Sequence, residues 1–366
     1  MGLLRLMLAL AVLLGHAHGI GGYAMVGGLL AVQCFFIISG FYMGLVLNER
    51  YDRPELNRAF WTNRAIRIYA VYFLFLALHF GLFALLQANG AQSPLGPYFE
   101  SGLPWDQKAG LALLNLTVIG QDLPLWLTIE NDRLAWTDSF VGSGDGAVFR
   151  FMLIPAAWSL SLELCFYALA PFIARRPAWQ IATLLALSLL ARAIAAALGY
   201  TGDPFSFRFF PFELALFLAG LLAYKGWAAR KAFWDRPALR LLALAVPLAI
   251  VAWPWLRGGW SEEVFFTPPR LFLLSLVAMG IPAIHAWSRH SAIDRAIGEL
   301  SFPFYLGHLL ILGVVAGLPF LQGNSLAVTL VAIAMTLLVS WLVVRVVETP
   351  IEAFRRRLAA RAGARE

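Results

Sequence analysis

Charge is scarce in this chain. Only 13% of its 366 residues are charged and 60% are hydrophobic, whereas a soluble domain is roughly a quarter charged. Cysteine is almost missing as well. Cys34 and Cys165 are the only two, both within apolar runs, so the chain has neither a disulfide framework nor a cysteine-based metal spacing. No P-loop, dinucleotide glycine fingerprint or H-E-x-x-H motif occurs, and no internal repeat is evident. These absences remove the common soluble nucleotide-binding enzymes and zinc proteases. The net charge of +7 sits beside the ends of apolar runs, so it speaks for membrane orientation rather than for nucleic acid.

What is abundant is long apolar sequence. Candidate spans lie at about 3–20, 25–47, 68–87, 152–174, 179–199, 209–225, 239–257, 270–288, 300–318 and 326–347. Runs of this length predict an all-α, polytopic membrane helix bundle; a β-barrel would show short alternating segments instead. The first run has the length of a signal peptide but leads straight into a second span, so it reads as a retained helix. A further run, about 109–128, is broken by Asn115, Gln121, Asp122 and Pro124. Five basic clusters decide how to treat it: Arg50–Arg67, Arg175–Arg176, Lys225–Arg240, Arg289–Arg295 and Arg355–Arg365. All five share the cytoplasmic side only if 109–128 does not cross. The expectation is therefore ten spans with both termini inside, plus one re-entrant or peripheral segment in an acidic outer stretch, 88–150. The membrane domain is expected over 1–350, with 351–366 a basic cytoplasmic tail.

Several ionisable residues fall inside these spans, where they are costly and face a bundle interior or a wet cavity. Arg5 and His16 are eleven positions apart, on one face of the first helix and roughly 16 Å apart along it. Arg5 reads equally as an inside anchor, and His16 or His18 as interfacial histidines. Arg64 and Arg67 share a face at the inner mouth of the third span. They suit a phosphate-rich cofactor such as coenzyme A, or merely flank a helix end. Ser159, Glu163 and Tyr167 recur every four residues as one polar stripe. Glu163 needs a partner such as Arg5, His16 or His308, and a structural clamp between helices is the plain alternative. Arg208 and Glu213 mark the outer end of the sixth span, as channel lining or anchor. Ser301, Tyr305 and His308 share another face. Two intramembrane histidines raise a metal or haem site, but no carboxylate-rich ligand set or haem motif accompanies them.

The ordered set resembles acyltransferase family 3, integral-membrane acyltransferases of bacterial surface-sugar modification and some antibiotic pathways. It comprises Arg5 with His16, F35-F36-I37-I38-S39-G40-F41, Arg64-x-x-Arg67, W158-S159-L160-x-x-E163-x-x-F166-Y167, F212 to G220, and Y305-L306-x-H308. The wording around Gln33–Met43 is most similar to exopolysaccharide-modifying members. Ala70 stands where the family often has proline, and only about 19 residues follow the last span. With no soluble esterase-like domain there, the acceptor is expected to reach the membrane core or a separate partner. The resemblance implies transfer of an acyl group, most simply acetyl, from acyl-CoA to a hydroxyl of a glycan or glycolipid acceptor in the bacterial inner membrane. It implies no metal and no nucleic acid, and it allows a polysaccharide-synthesis complex or homo-oligomer as partner. In that reading His16 is the general base or carries the acyl group. Glu163 and His308 assist it, and Arg5 stabilises CoA or the oxyanion. Arg64, Arg67 and Ser39 hold the donor. Trp158, Ser159, Tyr167, Arg208, Glu213 and Tyr305 line the substrate path. The rival is a transporter or flippase of an acylated or glycan lipid, which would show an inverted repeat with broken helices; a structural scaffold would not need the buried charges.

Overall fold

The computed structural model describes residues 1–17, 19–91, 93–261 and 264–363, and is a bundle of α-helices with one two-stranded sheet. His18 and Arg365 lie outside the described residues. In chain order the main helices are α1 (Gly2–His16), α2 (Gly27–Glu49), α3 (Asn57–Ala88), α4 (Trp105–Thr117), α5 (Trp158–Ile173) and α6 (Ala178–Ala197). They continue with α7 (Phe210–Ala229), α8 (Arg240–Val251), α9 (Pro268–Ser288), α10 (Ala292–Ala316), α11 (Ser325–Val343) and α12 (Thr349–Arg361). Among the described residues, eight helical stretches are long and apolar enough to cross a membrane; they contain α2, α3, α5, α6, α7, α9, α10 and α11. Two shorter apolar stretches, Gly2–His16 and Pro237–Val251, hold α1 and α8 where the other two spans are expected. This is an all-α, multi-pass membrane protein.

The environment of each helix follows from its apolar pattern. On α2 apolar residues run all round, as a helix surrounded by others requires, and it packs on α1, α5, α7 and α9. Helices α6 and α11 instead expose Leu187, Leu190, Ile194, Leu330 and Leu338, a surface that hydrocarbon solvates and water would not. Helix α3 runs unbroken through Ala70.

The segment around 109–128 is broken into a short helix, a turn and the start of a hairpin rather than one continuous span. Helix α4 has 13 residues, about 20 Å and short of the roughly 30 Å hydrocarbon thickness. It lies along α3, where the Tyr69 hydroxyl donates to the Thr117 carbonyl and that of Tyr72 to the Asn115 carbonyl at 2.6 Å. The chain then turns at Val118, passes Ser161 at the start of α5, and returns through the hairpin β1 (Leu127–Glu130) and β2 (Arg133–Trp136). Burial raises the pKa of Asp122 in this segment, and the Ser161 hydroxyl donating to it at 2.6 Å partly opposes that.

The basic clusters share one end of the bundle. Arg175 donates to the Tyr51 carbonyl at 2.7 Å, Lys231 pairs with Glu49 at 3.0 Å, and Arg289 reaches Asp235 at 3.1 Å. The Met1 amino group sits on Asp294, so α1 and α10 start at the same end and run parallel. Beyond residue 350 the chain is not a detached tail. Helix α12 packs on α3 and places Arg355 against Asn63.

Helices α2 and α7 meet backbone to backbone. A Cβ on Gly40 would stand 1.9 Å from the Phe217 carbonyl oxygen, and one on Gly220 1.8 Å from that of Ile37. Only glycine lets the two backbones meet this closely. The rings of Phe36, Phe217 and Phe166 stack across the joint, 4.6 and 4.3 Å apart, and bring in α5. Gly220→Val should push α7 off α2 and destabilise the protein by about 1–3 kcal/mol or more. Thermal unfolding in detergent checks this, with Gly226→Val, where a Cβ meets open space, as the control.

Candidate active site

The polar stripe on α5 forms as its spacing requires. Glu163 accepts hydrogen bonds from Ser39 of α2 at 2.8 Å and from Tyr167 one turn away. Ser159 shares a hydrogen bond of 2.7 Å with the Tyr305 hydroxyl of α10. The expected partner of Glu163 was Arg5, His16 or His308; its hydrogen-bond partners are instead two hydroxyls. Arg5, Arg64 and Arg67 act on it only at longer range.

These groups line a cavity of about 950 Å³, within the 300–1,000 Å³ typical of small-molecule sites. It reaches the bundle end that holds Met1, Asp294 and Arg355, and narrows inward to Ser159, Phe35 and Tyr305. Among the described residues, eight arginines and five carboxylates line it. Arg355 is tied down, by Asn63 Oδ1 at 2.6 and 3.0 Å and by Glu352 at 2.6 Å. Arg5, Arg64 and Arg67 differ. Among the described residues no side-chain hydrogen bond or ion pair holds any of them, and the Arg64 Nε is buried without a hydrogen-bond partner. Their positive charge is directed into the cavity. Glu348, on the π-helical turn Val344–Glu348 that leads into α12, faces Arg67 and Arg5 there.

His16 and His308 sit together but outside this cavity. The His308 Nε2 is 3.3 Å from the His16 Nδ1, with ring centroids 5.1 Å apart. Tyr305 separates them from the cavity: its hydroxyl is held by Ser159 and by the Ala156 carbonyl at 3.1 Å, and its own carbonyl accepts from His308. Trp158 and Arg208 also lie outside the cavity wall. The Arg208 guanidinium stacks 4.4 Å over the Trp158 ring and pairs with Asp203 at 2.7 Å. Arg208 is within electrostatic reach of His16. Among the described residues no group of three or more His, Cys, Asp or Glu side chains has the geometry to hold a metal.

Glu213 belongs to a different assembly, away from the cavity. It forms a fully buried ion pair with Arg192 of α6 and accepts from Gln33 Nε2 at 3.0 and 3.1 Å. The Gln33 carbonyl oxygen in turn accepts from Arg270 at 2.7 and 3.2 Å. The Phe265 ring lies 3.7 Å under Arg192 and 5.3 Å from Arg270. The sequence reading passes over Arg192 and Arg270, although a charge within an apolar run is the signal that marks Arg5. Glu348 and Arg355 carry no such signal, because only packing brings them to the cavity, and Asn63 is reached only through Arg355. Glu213→Leu leaves the Arg192 charge buried and uncompensated and should cost about 3–5 kcal/mol. A thermal melt in detergent would show the loss, and donor binding by the surviving folded fraction should be unchanged.

The chain was compared with known proteins. No curated protein and no solved structure matches it. A family model described as an acyltransferase domain, that of acyltransferase family 3, matches residues 1–345. That match spans α1 to α11, with Arg5, Arg64, Arg67 and the histidine pair, and the chain belongs to this family of membrane acyltransferases.

Proposed function

We propose that this acyltransferase takes an acyl group, most simply acetyl, from acyl-CoA and delivers it to a hydroxyl of a carbohydrate-containing acceptor. Such an acceptor is a surface or exported polysaccharide or its lipid-linked precursor, and the setting is a bacterial inner membrane with both termini cytoplasmic. One observation carries the donor assignment: three guanidiniums that no hydrogen bond or ion pair among the described residues holds line a cavity that reaches the bundle end rich in arginine. Guanidinium forks bind phosphate oxygens with charge-assisted, paired hydrogen bonds. Arg64 and Arg67 hold the CoA phosphates in this reading, with Ser39 and Tyr167 shaping the wall around Glu163. Arg5 lies at the Met1 end of α1, about 16 Å from His16, which suits donor binding better than an oxyanion role.

The chemistry requires a base at the acceptor hydroxyl. His16 is the exposed member of the histidine pair, whereas His308 is wholly buried. His16 accepts the hydroxyl proton, the alkoxide oxygen bonds to the thioester carbonyl carbon, and the carbon–sulfur bond breaks. The CoA thiolate then takes the proton from His16, leaving ester and free thiol. For this the pantetheine arm passes Tyr305, so the Tyr305–Ser159 contact opens during turnover. Trp158 and Arg208, on the far side of Tyr305, flank the acceptor.

Purified protein in nanodiscs, given acetyl-CoA and candidate glycan acceptors, should release free thiol. His16→Ala should lower that rate by between about 10²- and 10⁴-fold while CoA binding persists. Arg67→Ala should weaken CoA binding by about 10- to 100-fold, the loss of one charge-assisted contact. Normal turnover by His16→Ala would remove the base assignment. Neither thiol release nor CoA binding, across several acyl-CoAs, would shift the reading to transport.

A further inference from the structure

We infer that His308 is a positioning residue for His16: it fixes which nitrogen of His16 is basic and steadies the cation formed when that nitrogen is protonated. The inference rests on the reading of His16 as the base. It is drawn from the acceptors around the two rings. The His308 Nδ1 lies 2.6 Å from the Tyr305 carbonyl oxygen. A carbonyl only accepts, so in the neutral ring Nδ1 carries the hydrogen and Nε2 holds the lone pair. The His16 Nδ1 lies 2.8 Å from the Val12 carbonyl oxygen and carries its hydrogen for the same reason. That N–H also faces the His308 Nε2 at 3.3 Å. The basic atom of His16 is then Nε2, on the opposite edge of the ring.

Once Nε2 takes a proton, the Nδ1–H of the imidazolium remains between two acceptors, a carbonyl and a neutral imidazole. This is the third-group logic of a catalytic triad, with an imidazole where a carboxylate commonly stands. The burial of the two rings fits the division of labour, since a fully buried His308 cannot meet an acceptor directly. Among the described residues no carboxylate is hydrogen-bonded to either ring or acts on it. The titratable or charged groups facing the pair are Arg208 on the His16 side, and His79 of α3 and Tyr305 on the His308 side. Arg208 opposes a cation on His16, and a neutral acceptor at His308 offsets that. His79 donates from Nδ1 to the Phe75 carbonyl of its own helix, 2.8 Å away.

The test compares His308→Phe, His308→Gln and His16→Ala in nanodiscs, reading kcat, KM for acetyl-CoA, CoA binding and the pH profile of kcat. His308→Phe removes the acceptor and keeps a planar ring. It should lower kcat by about 10- to 100-fold and leave KM and CoA binding unchanged. It should also move the acid limb of the profile to lower pH, because the imidazolium has lost an acceptor. His308→Gln, whose amide oxygen reaches toward the Nε2 position, should restore part of kcat and return the limb toward that of the unmodified protein. Unchanged kcat and profile in His308→Phe, with His16→Ala inactive, would overturn the positioning role alone. Equal defects in the Phe and Gln variants, or loss of CoA binding with activity, would overturn it in favour of packing. Normal turnover by His16→Ala would overturn the base assignment beneath it.

Discussion

A guanidinium carries its charge at every accessible pH, so within a membrane it must be given partners or be given access to a polar space. This constraint organises the protein. Arg192 and Arg270 are given partners: Glu213 and Gln33 neutralise and hydrogen-bond them, and Phe265 stacks on both. Arg355 is capped by Asn63 and Glu352. Arg5, Arg64 and Arg67 are given a cavity instead. The same side chain thus serves as a cross-brace at one place in the bundle and as a charged cavity lining at another. The difference is whether a neighbouring helix offers a carboxylate or amide at hydrogen-bond distance.

The cavity exists because the helices around it are held at fixed separations. Gly40 and Gly220 let α2 and α7 touch backbone to backbone, and the adjacent Ser39 is thereby turned toward Glu163 on α5. On the other side Asp294 gathers the first residues of α1, keeping α1 parallel to α10 along its length. That alignment is what brings His16 level with His308. Arg5 and His16, on one helix, therefore lie in two different surroundings. Arg5 faces the charged cavity, and His16 faces the region beyond Tyr305. The tyrosine hydroxyl, bonded to Ser159 and the Ala156 carbonyl, is the joint between them.

The chain's apolar runs by themselves determined its class, because a helix in hydrocarbon satisfies its own backbone and needs only about 20 apolar residues in a row. They and the basic clusters also determined which ends lie together. Spacing of three or four determined the faces: Arg64 with Arg67, and Ser159, Glu163 and Tyr167 as one stripe. What only the tertiary structure decided is partnership, since it depends on which helix stands opposite. Glu163 meets Ser39 rather than a cation, Glu213 braces α6 and α2 rather than lining a channel, and the segment after residue 350 returns to α3 as part of the cavity wall. Tyr305 standing between the arginines and the histidines is likewise invisible in sequence. A residue's own helix sets its direction, but its chemistry is set by atoms from elements far away along the chain.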